Sequence, residues 1–529
     1  MEKDFVQLPG KQVMLAMLGV MLAMFMAALG QTVVATAMPV IIADLGGFGR
    51  YTWAATAYLV AATVSIPIVG RLTDLYGRKV FLVLGIVVFI GGSIPAGMSQ
   101  TMNQLIAFRA IQGIGGGTIM AYGFLVTADL FPPEVRGRYQ GLISLVYGVA
   151  SVIGPTLGGI ITDVISWHWI FLINIPIGIP ILLLIIRTFP PIRPEVQNRS
   201  LDYLGMVTLV LSVVPILIAL SIVGVHHAWD TPQVIGFLAF GLVMTAIFAI
   251  VESKAVAPIM PFEIYKFRVV AVSTTVAFLA GFGLYGTIVF LPLFFQGVLG
   301  ASPTSSGGFL TPLILGIVFG AIVSGRMLAR KEGRFRRQAL ISSGLMALGM
   351  YLISTMDANT SSSVAVGYVV IMSFGLGGVL ATFNLAVQNA VPFRLVGTAT
   401  SALLFYRLIG GTLGLTVLGV VMTHRFSSRV EETVSDTVRA ALGPGRLDAI
   451  KDNPRALIDS AALDALRDEL SETGTQGLQM TDALLGTLHA ALAEAVGDVF
   501  AISVVIVVLS VVLSLFLKVS KDDSENGNT

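Results

Sequence analysis

Long apolar segments recur along the whole chain, and most are separated by short polar connections. Each is about as long as the 20 residues that an α-helix needs to cross the hydrocarbon core of a membrane. The first segment is longer than a signal peptide and lacks a small-residue cleavage site, so we expect it to remain as a helix. The pattern predicts fourteen membrane-spanning helices at 12–41, 51–72, 80–98, 104–128, 139–162, 169–187, 203–224, 234–251, 269–298, 305–328, 338–356, 364–390, 397–423 and 497–518.

Composition agrees with this pattern. Of the 529 residues, 55% are hydrophobic and only 12% are charged, and the mean hydropathy is +0.87. A soluble domain carries about 25% charged residues, so we predict a polytopic membrane protein. The chain has no cysteine, which excludes disulfides and thiolate metal sites, and its five histidines show no ligand spacing. We therefore predict neither a metal site nor a cofactor.

Positive charge is distributed unevenly between the two sets of loops. With the N-terminus inside, the short outer loops hold only Arg50, whereas the inner loops are rich in Lys and Arg. Cytoplasmic loops carry the excess of Lys and Arg in membrane proteins, so both termini are predicted to be cytoplasmic. The net charge of +2 gives no reason to expect a nucleic-acid partner.

Landmarks in the first part of the chain recur in the same order in the second part. GRLTDLYGRK at 70–79 is echoed by GRMLARKEGR at 325–334, and FPPEVRG near Pro133 is echoed by VPFRLVG near Pro392. Weak internal repeats of this kind are typical of transporters. The predicted divisions are a six-helix bundle at 1–190, a linker with two extra spans at 191–268, a second six-helix bundle at 269–518 and a cytoplasmic tail at 519–529.

A second addition lies between the last two predicted spans, at 425–495. This stretch is acidic, and the breaks GPG (443–445) and NP (453–454) divide it. We predict an extracytoplasmic helical hairpin, which is either a solvated cap or gate, or an element for a partner or for substrate entry. Its first helix would have one apolar face, formed by Phe426, Val430, Val434, Val438 and Leu442.

The motif GRLTDLYGRK lies at the predicted inner end of the second span. Gly70 and Gly77 would let two helix ends approach closely, and Asp74 beside Arg78 and Lys79 can form a breakable cluster of charges. Such a cluster can hold two bundles in one conformation. Ordinary anchoring of inner loops by positive charge explains Arg78 and Lys79, but not Asp74 together with both glycines.

Two further spans carry unusual residues. LIAFRAIQGIGGG (105–117) places Arg109 several residues inside the fourth span, where a buried charge is costly and usually functional; the alternative is a side chain that snorkels to the outer surface. GVASVIGPTLGG (148–159) gives the fifth span a smooth face for close helix packing, with a proline that allows a bend. That face consists of Gly148, Gly154, Pro155, Gly158 and Gly159.

These stretches, in this order and at these helix positions, resemble the major facilitator superfamily. Fourteen helices, the central insertion, WHWIFLINIPIG (167–178) and FLPLFFQGVLGASPTSSGGFLTPL (290–313) resemble its fourteen-span drug:proton antiporter branch in particular. The resemblance implies an all-α membrane protein with the major facilitator fold. In that fold, two pseudo-symmetric six-helix bundles surround a central cavity and rock between inward-open and outward-open states, and here two central helices are inserted.

The resemblance also implies roles for individual residues. Asp74, with Gly70, Gly77 and Arg78, would govern conformational switching, and Asp129 resembles the acidic partner of that cluster. Arg109 would take part in proton coupling, and the glycine–proline face of the fifth span is associated with antiport in the family.

Gln31 departs from the family's pattern. It lies in LGQTVVATAMP (29–39), which resembles the first-span motif of the branch, and the usual residue at that position is Asp. A carboxylate can bind a proton and attract a cation, whereas an amide is a neutral hydrogen-bond donor and acceptor. No acidic residue falls near the centre of any predicted span, so none replaces the missing carboxylate.

Arg407, in LLFYRLIGGTLG, is the other charged residue predicted to be buried within a span, and the repeat aligns it with Tyr147. We hypothesise that it faces the cavity and favours neutral amphiphilic or anionic compounds. Methionine and aromatic surfaces suit promiscuous binding, although packing between helices or against lipid is the alternative for each of them. Besides Gln31 and Arg407, the cavity candidates are Met24, Phe25, Tyr147, Phe290, Phe294, Phe295, Gln296, Phe383, Asn384, Phe405 and Tyr406.

The sequence thus predicts a monomeric, multi-pass transporter of the cell membrane that exports small amphiphilic compounds such as drugs and antiseptics. Protons are the expected driving ion, since the chain has no phosphate-binding loop for ATP. A dedicated lipid or metabolite exporter of the same fold is the alternative. An enzyme is not expected, because no acid, base or metal ligands cluster at one membrane depth.

Overall fold

The computed structural model describes residues 9–45, 51–191, 200–223, 229–299, 303–330, 335–357, 360–434 and 475–518. These residues form fifteen α-helices, with short 3₁₀ helices at Phe262–Lys266 and Phe393–Leu395. The α-helices are α1 (Gly10–Leu45), α2 (Tyr51–Tyr76), α3 (Arg78–Ala96), α4 (Met102–Leu130), α5 (Pro133–Val164), α6 (Trp169–Leu172), α7 (Asn174–Thr188), α8 (Tyr203–Ile222), α9 (Pro232–Lys254), α10 (Arg268–Gly297), α11 (Pro303–Arg330), α12 (Phe335–Ser354), α13 (Ser362–Ala390), α14 (Val396–Thr433) and α15 (Thr475–Ser514).

Within the described residues, thirteen helical segments are long and apolar enough to cross a membrane, and α6 and α7 together form one of them. The remaining predicted span, 338–356, is present as α12, which has 20 residues but is not among these apolar segments. Its polar side chains are used inside the protein: Gln338 donates to Ser324 Oγ at 2.9 Å, and Ser343 bonds Ser514 at 3.1 Å. Pairing of this kind lets a less apolar helix lie within a membrane bundle.

The helices form two halves with the same internal pairing. In the first half, α2 and α3 both pack on α4, and α1 packs on α5; in the second, α11 and α12 both pack on α13, and α10 packs on α14. The halves meet along two equivalent seams, α5 against α11 and α14 against α2. This arrangement confirms the all-helical fold with two related halves that the sequence predicts.

The inserted helices α8 and α9 pack on each other, and α8 also contacts α2 and α14. Thr416 of α14 donates to the carbonyl oxygen of Leu220 in α8 at 2.9 Å. Glu252, near the end of α9, accepts a hydrogen bond from the backbone N–H of Met260. The insertion therefore lies beside the α2–α14 seam.

Helices α14 and α15 are too long to end at a membrane surface. With 38 and 40 residues, they reach about 57–60 Å at 1.5 Å per residue, against a hydrocarbon core of about 30 Å. Phe426, Val430 and Val434 are buried in a core shared with α15. The two helices therefore continue together beyond the bundle; Val438, Leu442 and the rest of the predicted hairpin (435–474) lie outside the described residues.

Candidate functional site

Three charged side chains meet where α2, α3 and α4 come together. Asp74, Arg78 and Asp129 are all 0% exposed. Arg78 pairs with Asp74, and its Nε lies 3.3 Å from Asp129 Oδ1. Tyr122 donates its hydroxyl to Asp129 Oδ2 at 2.8 Å. Since a buried charge is stable only when it is paired and hydrogen-bonded, this cluster fixes three helix ends to one another; we call this end of the bundle the Asp74 end.

Asp74 also bonds the other half of the protein. Its Oδ2 accepts hydrogen bonds from Thr398 N at 2.7 Å and from Thr398 Oγ1 at 2.8 Å. Thr398 lies in the first turn of α14, where unpaired backbone N–H groups and the helix dipole favour a negative charge. One carboxylate thus joins the charge cluster of the first half to the start of a helix of the second half.

Two glycine contacts close the Asp74 end on both seams. A Cβ on Gly70 would lie 2.5 Å from Ser401 Cβ and 3.1 Å from the carbonyl oxygen of Gly397, and one on Gly137 would lie 2.7 Å from the carbonyl carbon of Gly325. Distances this short leave no room for a side chain, so only glycine permits the approach.

The two contacts are related by the internal repeat. GRLTDLYGRK and GRMLARKEGR align Gly70 with Gly325, while FPPEVRG and VPFRLVG align Gly137 with Gly397. Position 74, however, aligns with Ala329. The backbone contact is therefore symmetric, whereas the carboxylate that reinforces it belongs to the α2–α14 seam alone.

Polar side chains add to this closure. Arg136, 3% exposed, donates to the carbonyl oxygens of Phe131 and Ala128 and, through Nη1, to Asn389 Oδ1 at 3.0 Å. Gln388 donates to the carbonyl oxygen of Phe124 at 3.2 Å. Both bonds connect α13 with the first half, so the two halves are closed on each other at the Asp74 end.

At Gly77, between α2 and α3, the backbone requires a glycine. The residue has φ of 104° and ψ of 153°, a conformation that strains any residue with a side chain. This turn brings Arg78, four residues after Asp74, back towards Asp74, so Gly77 shapes the charge cluster without contributing a charge.

Arg109 lies completely buried among α1, α2 and α4, at 0% exposure. Its Nε donates to the carbonyl oxygen of Ala54 at 3.1 Å, and its Nη1 donates to the carbonyl oxygen of Gly30 at 2.9 Å and to Gln112 Oε1 at 2.5 Å. The guanidinium also stands 4.4 Å from the centre of the Tyr58 ring. Among the described residues no carboxylate pairs with it, so carbonyl dipoles and a π face stabilise the charge.

The glycines of α5 face two different helices. A Cβ on Gly148 would meet Ile314 of α11, whereas one on Gly154 or Gly158 would meet Thr32 or Thr36 of α1. A Cβ on Gly159 would meet no atom within 4 Å, and the side chain of Pro155 lies outside the described residues. The face therefore serves both the contact between halves and the packing of α1.

A cavity lies between α4, α5, α13 and α14. Arg407 lines it, and its guanidinium is 5.0 Å from the centre of the Phe124 ring. Since Gln388 bonds the backbone of Phe124, the contacts that close the Asp74 end also close one side of this cavity. Its lining residues are Phe124, Gln140, Ser144, Leu380, Ala381, Asn384, Thr400, Leu403, Leu404 and Arg407.

Gln31 lies near this cavity but is not part of its lining. Tyr147 donates its hydroxyl to Gln31 Oε1 at 3.4 Å, and both side chains are half-buried. Tyr147 is also within electrostatic reach of Arg407 and Tyr285. The Gln31 amide thus accepts a hydrogen bond from the neutral phenol of Tyr147. A carboxylate at this position would have the same acceptor role.

The other predicted cavity residues are not among those that line this cavity. Met24 is fully buried against Gly123 of α4, and Phe294 stacks edge-to-face on Phe295 inside the second half. Tyr265 donates its hydroxyl to Tyr406 Oη at 3.2 Å, and burial raises the pKa of Tyr265 above its ordinary value. Phe25 is half-buried in the packing of the first half, and the Gln296 side chain lies outside the described residues. The remaining candidates belong to the buried cores: Phe290, Phe295, Phe383 and Phe405.

Sequence reasoning missed the residues that connect the halves. Sequence patterns do not single out Thr398, Arg136 or Gln388, although Arg136 lies inside FPPEVRG and Thr398 directly follows VPFRLVG. In the sequence these stretches stand out only as markers of the repeat. Their recurrence just before two helices that line the seams was the available signal.

Residues 20–415 match the sequence model of the Major Facilitator Superfamily. The chain belongs to the major facilitator superfamily. It is 39% identical over 501 residues to Multidrug resistance protein 3 of Bacillus subtilis (strain 168), with 94% of each chain covered. It is also 35% identical over 502 residues to Multidrug transporter protein MdtP of the same organism, covering 94% of this chain and 92% of the relative.

Solved structures of the major facilitator superfamily have the same fold. The human organic anion transporter MFSD10 superposes with a TM-score of 0.57 at 15% identity, over 92% of this chain and 100% of that one. The proton:xylose symporter XylE gives 0.55 at 11% identity, over 94% and 95%. The predicted family and fold class are confirmed: the protein is a multi-pass membrane transporter and not an enzyme.

Proposed function

We propose that this major facilitator exports small amphiphilic compounds, including drugs and antiseptics, from the cell by proton antiport. Two relatives that match along nearly the whole chain are named as multidrug proteins, which supports drugs as the substrate class. The observation that carries the proposal is the cavity between the halves, closed at the Asp74 end by glycine contacts and by the bond from Thr398 to Asp74.

The cell membrane is the proposed location, with the Asp74 end and both termini in the cytoplasm. Among the described residues of the predicted inner loops, Arg71, Arg136 and Arg326 directly adjoin the glycines that meet at this end, which agrees with the positive-inside rule. The observed closure then separates the cavity from the cytoplasm. Export needs the opposite step as well, in which the Asp74 end opens so that substrate can enter from inside.

Asp74 is suited to control that step. Its charge is stabilised by Arg78 and by the first turn of α14 at once. A proton on Asp74 would remove the charge that both partners favour, and the bond between the halves would weaken. Protonation of the Asp74–Asp129 cluster thus favours opening towards the cytoplasm, and release of the proton favours closure.

Arg109 has a positioning role in this proposal. It bonds backbone carbonyl oxygens of α1 and α2 and lies next to Gln112, which bonds Ser93 Oγ of α3 at 2.6 Å. Movement of α1 relative to α2 therefore changes the hydrogen bonds of a buried cation. Proton coupling would act through these bonds, since Gln31 cannot bind a proton in the relevant pH range.

A dedicated exporter of one lipid or metabolite is the second candidate, and the neutral Gln31 favours it. The absence of a carboxylate from the lining of the described cavity removes the group that would attract multiply charged cationic drugs. The amphiphilic proposal and this alternative share the fold and differ in substrate range.

The test is ethidium efflux from cells that lack their own exporters, with and without an ionophore that collapses the proton gradient. Wild type, Gln31→Asp and the exposed control Gln104→Asp are compared. We expect ionophore-sensitive efflux by wild type and by the control. Efflux by Gln31→Asp alone would place cationic drugs outside the natural substrate range. No efflux by any variant present in the membrane would favour the dedicated exporter.

A further inference from the structure

We propose that the cavity between α4, α5, α13 and α14 is an oxyanion site that holds the carboxylate of an acidic amphiphile through Arg407, Asn384 and Thr400. The inference rests on the proposed transport function and adds acidic amphiphiles to its substrate class. Three independent features of the cavity carry it: a cation that lacks a counter-charge, buried polar groups that lack partners, and a lining that holds no acid.

Arg407 provides the positive charge. No carboxylate in the described part of the chain forms an ion pair with it, and its guanidinium lies 5.0 Å from the centre of the Phe124 ring. The guanidinium has a planar fork of N–H donors that matches a carboxylate in two parallel hydrogen bonds. A buried cation without a counter-ion is costly in a membrane, so an anion that enters the cavity would be stabilised by it.

Asn384 and Thr400 face the cavity with unused polar atoms. Asn384 is 3% exposed and Thr400 is 2% exposed, yet neither Asn384 Nδ2 nor Thr400 Oγ1 has a hydrogen-bond partner. The great majority of buried polar groups are bonded, and an unbonded one costs free energy. Both side chains can donate a hydrogen bond, so a ligand oxygen would satisfy them.

The three residues lie on two neighbouring helices that line the cavity. Thr400 and Arg407 are seven residues apart in α14, hence on one face of the helix, with Leu403 and Leu404 between them on that face. Asn384 is contributed by α13. The donors thus surround one side of the cavity, while Phe124, Leu380 and the two leucines supply apolar surface for a hydrocarbon body.

The remaining polar groups of the lining have partners inside the protein. Gln140 uses its side-chain oxygen to accept from Thr127 at 3.2 Å, and Ser144 donates to the carbonyl oxygen of Gln140 at 3.1 Å. No Asp or Glu is among the residues that line the cavity. Donors therefore exceed acceptors, which favours an oxygen anion over an ammonium group.

The test is equilibrium binding of a matched pair of probes, 1-naphthaleneacetate and 1-naphthaleneacetamide, to purified full-length protein in phosphatidylcholine nanodiscs. The two share one ring and differ in charge. We expect wild type to bind the acid about ten-fold more tightly than the amide, the size of one charge-assisted bond. Arg407→Lys keeps part of this preference, because the charge remains while the two parallel hydrogen bonds are lost, and Arg407→Met reduces it to about two-fold or less.

Two further variants locate the uncharged donors. Asn384→Leu and Thr400→Val each weaken binding of the acid by about three- to ten-fold and leave binding of the amide less affected. The control Arg425→Met, on the exposed part of α14, keeps the wild-type preference. Equal binding of acid and amide by wild type, or an unchanged preference in a folded Arg407→Met protein, would overturn the proposal.

A lipid phosphate has the same chemistry, so the titration is repeated in phosphatidylglycerol nanodiscs. Unchanged binding of the acid assigns the site to a small molecule. Weaker binding of the acid in phosphatidylglycerol would show that the lipid competes for the site. If this competition disappears in Arg407→Met, the oxyanion site is supported and is assigned to a lipid headgroup. These titrations require no transport, so the two proposals can fail separately. Loss of the binding preference would overturn the oxyanion site without affecting the efflux result, and absence of efflux would overturn the export proposal without affecting the binding result.

Discussion

Arg109 donates a 2.9 Å hydrogen bond to the carbonyl oxygen of Gly30, the peptide group directly before Gln31. The one buried cation of α4 therefore acts on the backbone of α1 beside the amide that stands where the family usually has a carboxylate. A Cβ on Gly30 would lie 2.8 Å from Phe89 Cζ, so the glycine allows α1 to come this close to α3. Gly30, Arg109, Gln112 and Ser93 form one buried hydrogen-bonded unit.

We expect Arg109→Lys to lower efflux by at least about ten-fold. A lysine ammonium is a point charge on a flexible stem and cannot reproduce the planar fork of donors that reaches Ala54, Gly30 and Gln112 together. The control is Arg425→Lys, whose side chain is 57% exposed and where the exchange is expected to be silent. Efflux rates normalised to the amount of protein in the membrane measure the effect, and wild-type efflux by folded Arg109→Lys would refute the positioning role.

Asp74→Asn is expected to destabilise closure at the Asp74 end. The amide cannot form the ion pair with Arg78 and is a weaker acceptor for Thr398 at the start of α14. Spin labels on cysteines at positions 138 and 326, one on each side of the glycine contact, report the opening as a shift of the distance distribution to longer values. Asp163→Asn, an exposed acid at the far end of α5, should leave the distribution unchanged. The same distribution in Asp74→Asn as in wild type would show that the carboxylate does not hold the halves together.

Gly137→Ala is expected to prevent full closure of the α5–α11 seam. The added methyl group would come within 2.7 Å of the Gly325 backbone, and a backbone cannot give way as a flexible side chain can. We expect efflux to fall several-fold and the 138–326 distance to increase. The matched control is Gly159→Ala in the same helix, where a Cβ meets no atom within 4 Å. Equal efflux by the two alanine variants would show that this contact is not needed for transport.

Apolar packing, not charge, is expected to join the long ends of α14 and α15. Phe426 is 0% exposed, and truncation of a buried Phe to Ala costs about 3–5 kcal/mol. The pairs of Arg429 with Glu494 and of Arg425 with Asp498 are largely exposed, and such pairs contribute about 0–1 kcal/mol. In thermal unfolding of the purified protein, Phe426→Ala should lower the melting temperature clearly and Arg429→Gln only slightly; the reverse order would contradict this account.

Periodicity and motif spacing predict the helices, the internal repeat and the family, because each depends on local sequence. The spans follow from apolar length. The helix α12 is less clearly apolar, and it can lie in the bundle because Gln338 and Ser343 are paired within the protein. The charge cluster is predicted in part: Asp74 and Arg78 are four residues apart, and Asp129 was recognised by resemblance.

Contacts between the halves could not be read from the sequence in the same way. Thr398 is 324 residues from Asp74, and no local pattern marks it as a partner. Met24 and Phe294 show the converse problem, because an apolar residue near a helix centre can face a cavity or a core, and only packing decides between them. Asn384 and Arg407 reach the cavity because the faces of α13 and α14 that carry them are turned towards α4 and α5.

The most direct test of the account asks whether the Asp74 end must open and close during export. The chain has no natural cysteine, so Arg138→Cys and Arg326→Cys introduce the only two thiols, beside the Gly137–Gly325 contact. A short bifunctional maleimide then joins the halves in membranes that actively export a substrate. We expect export to stop in the cross-linked double variant and to continue in each single variant treated in the same way. Export at the wild-type rate by fully cross-linked protein would contradict alternating access through this end.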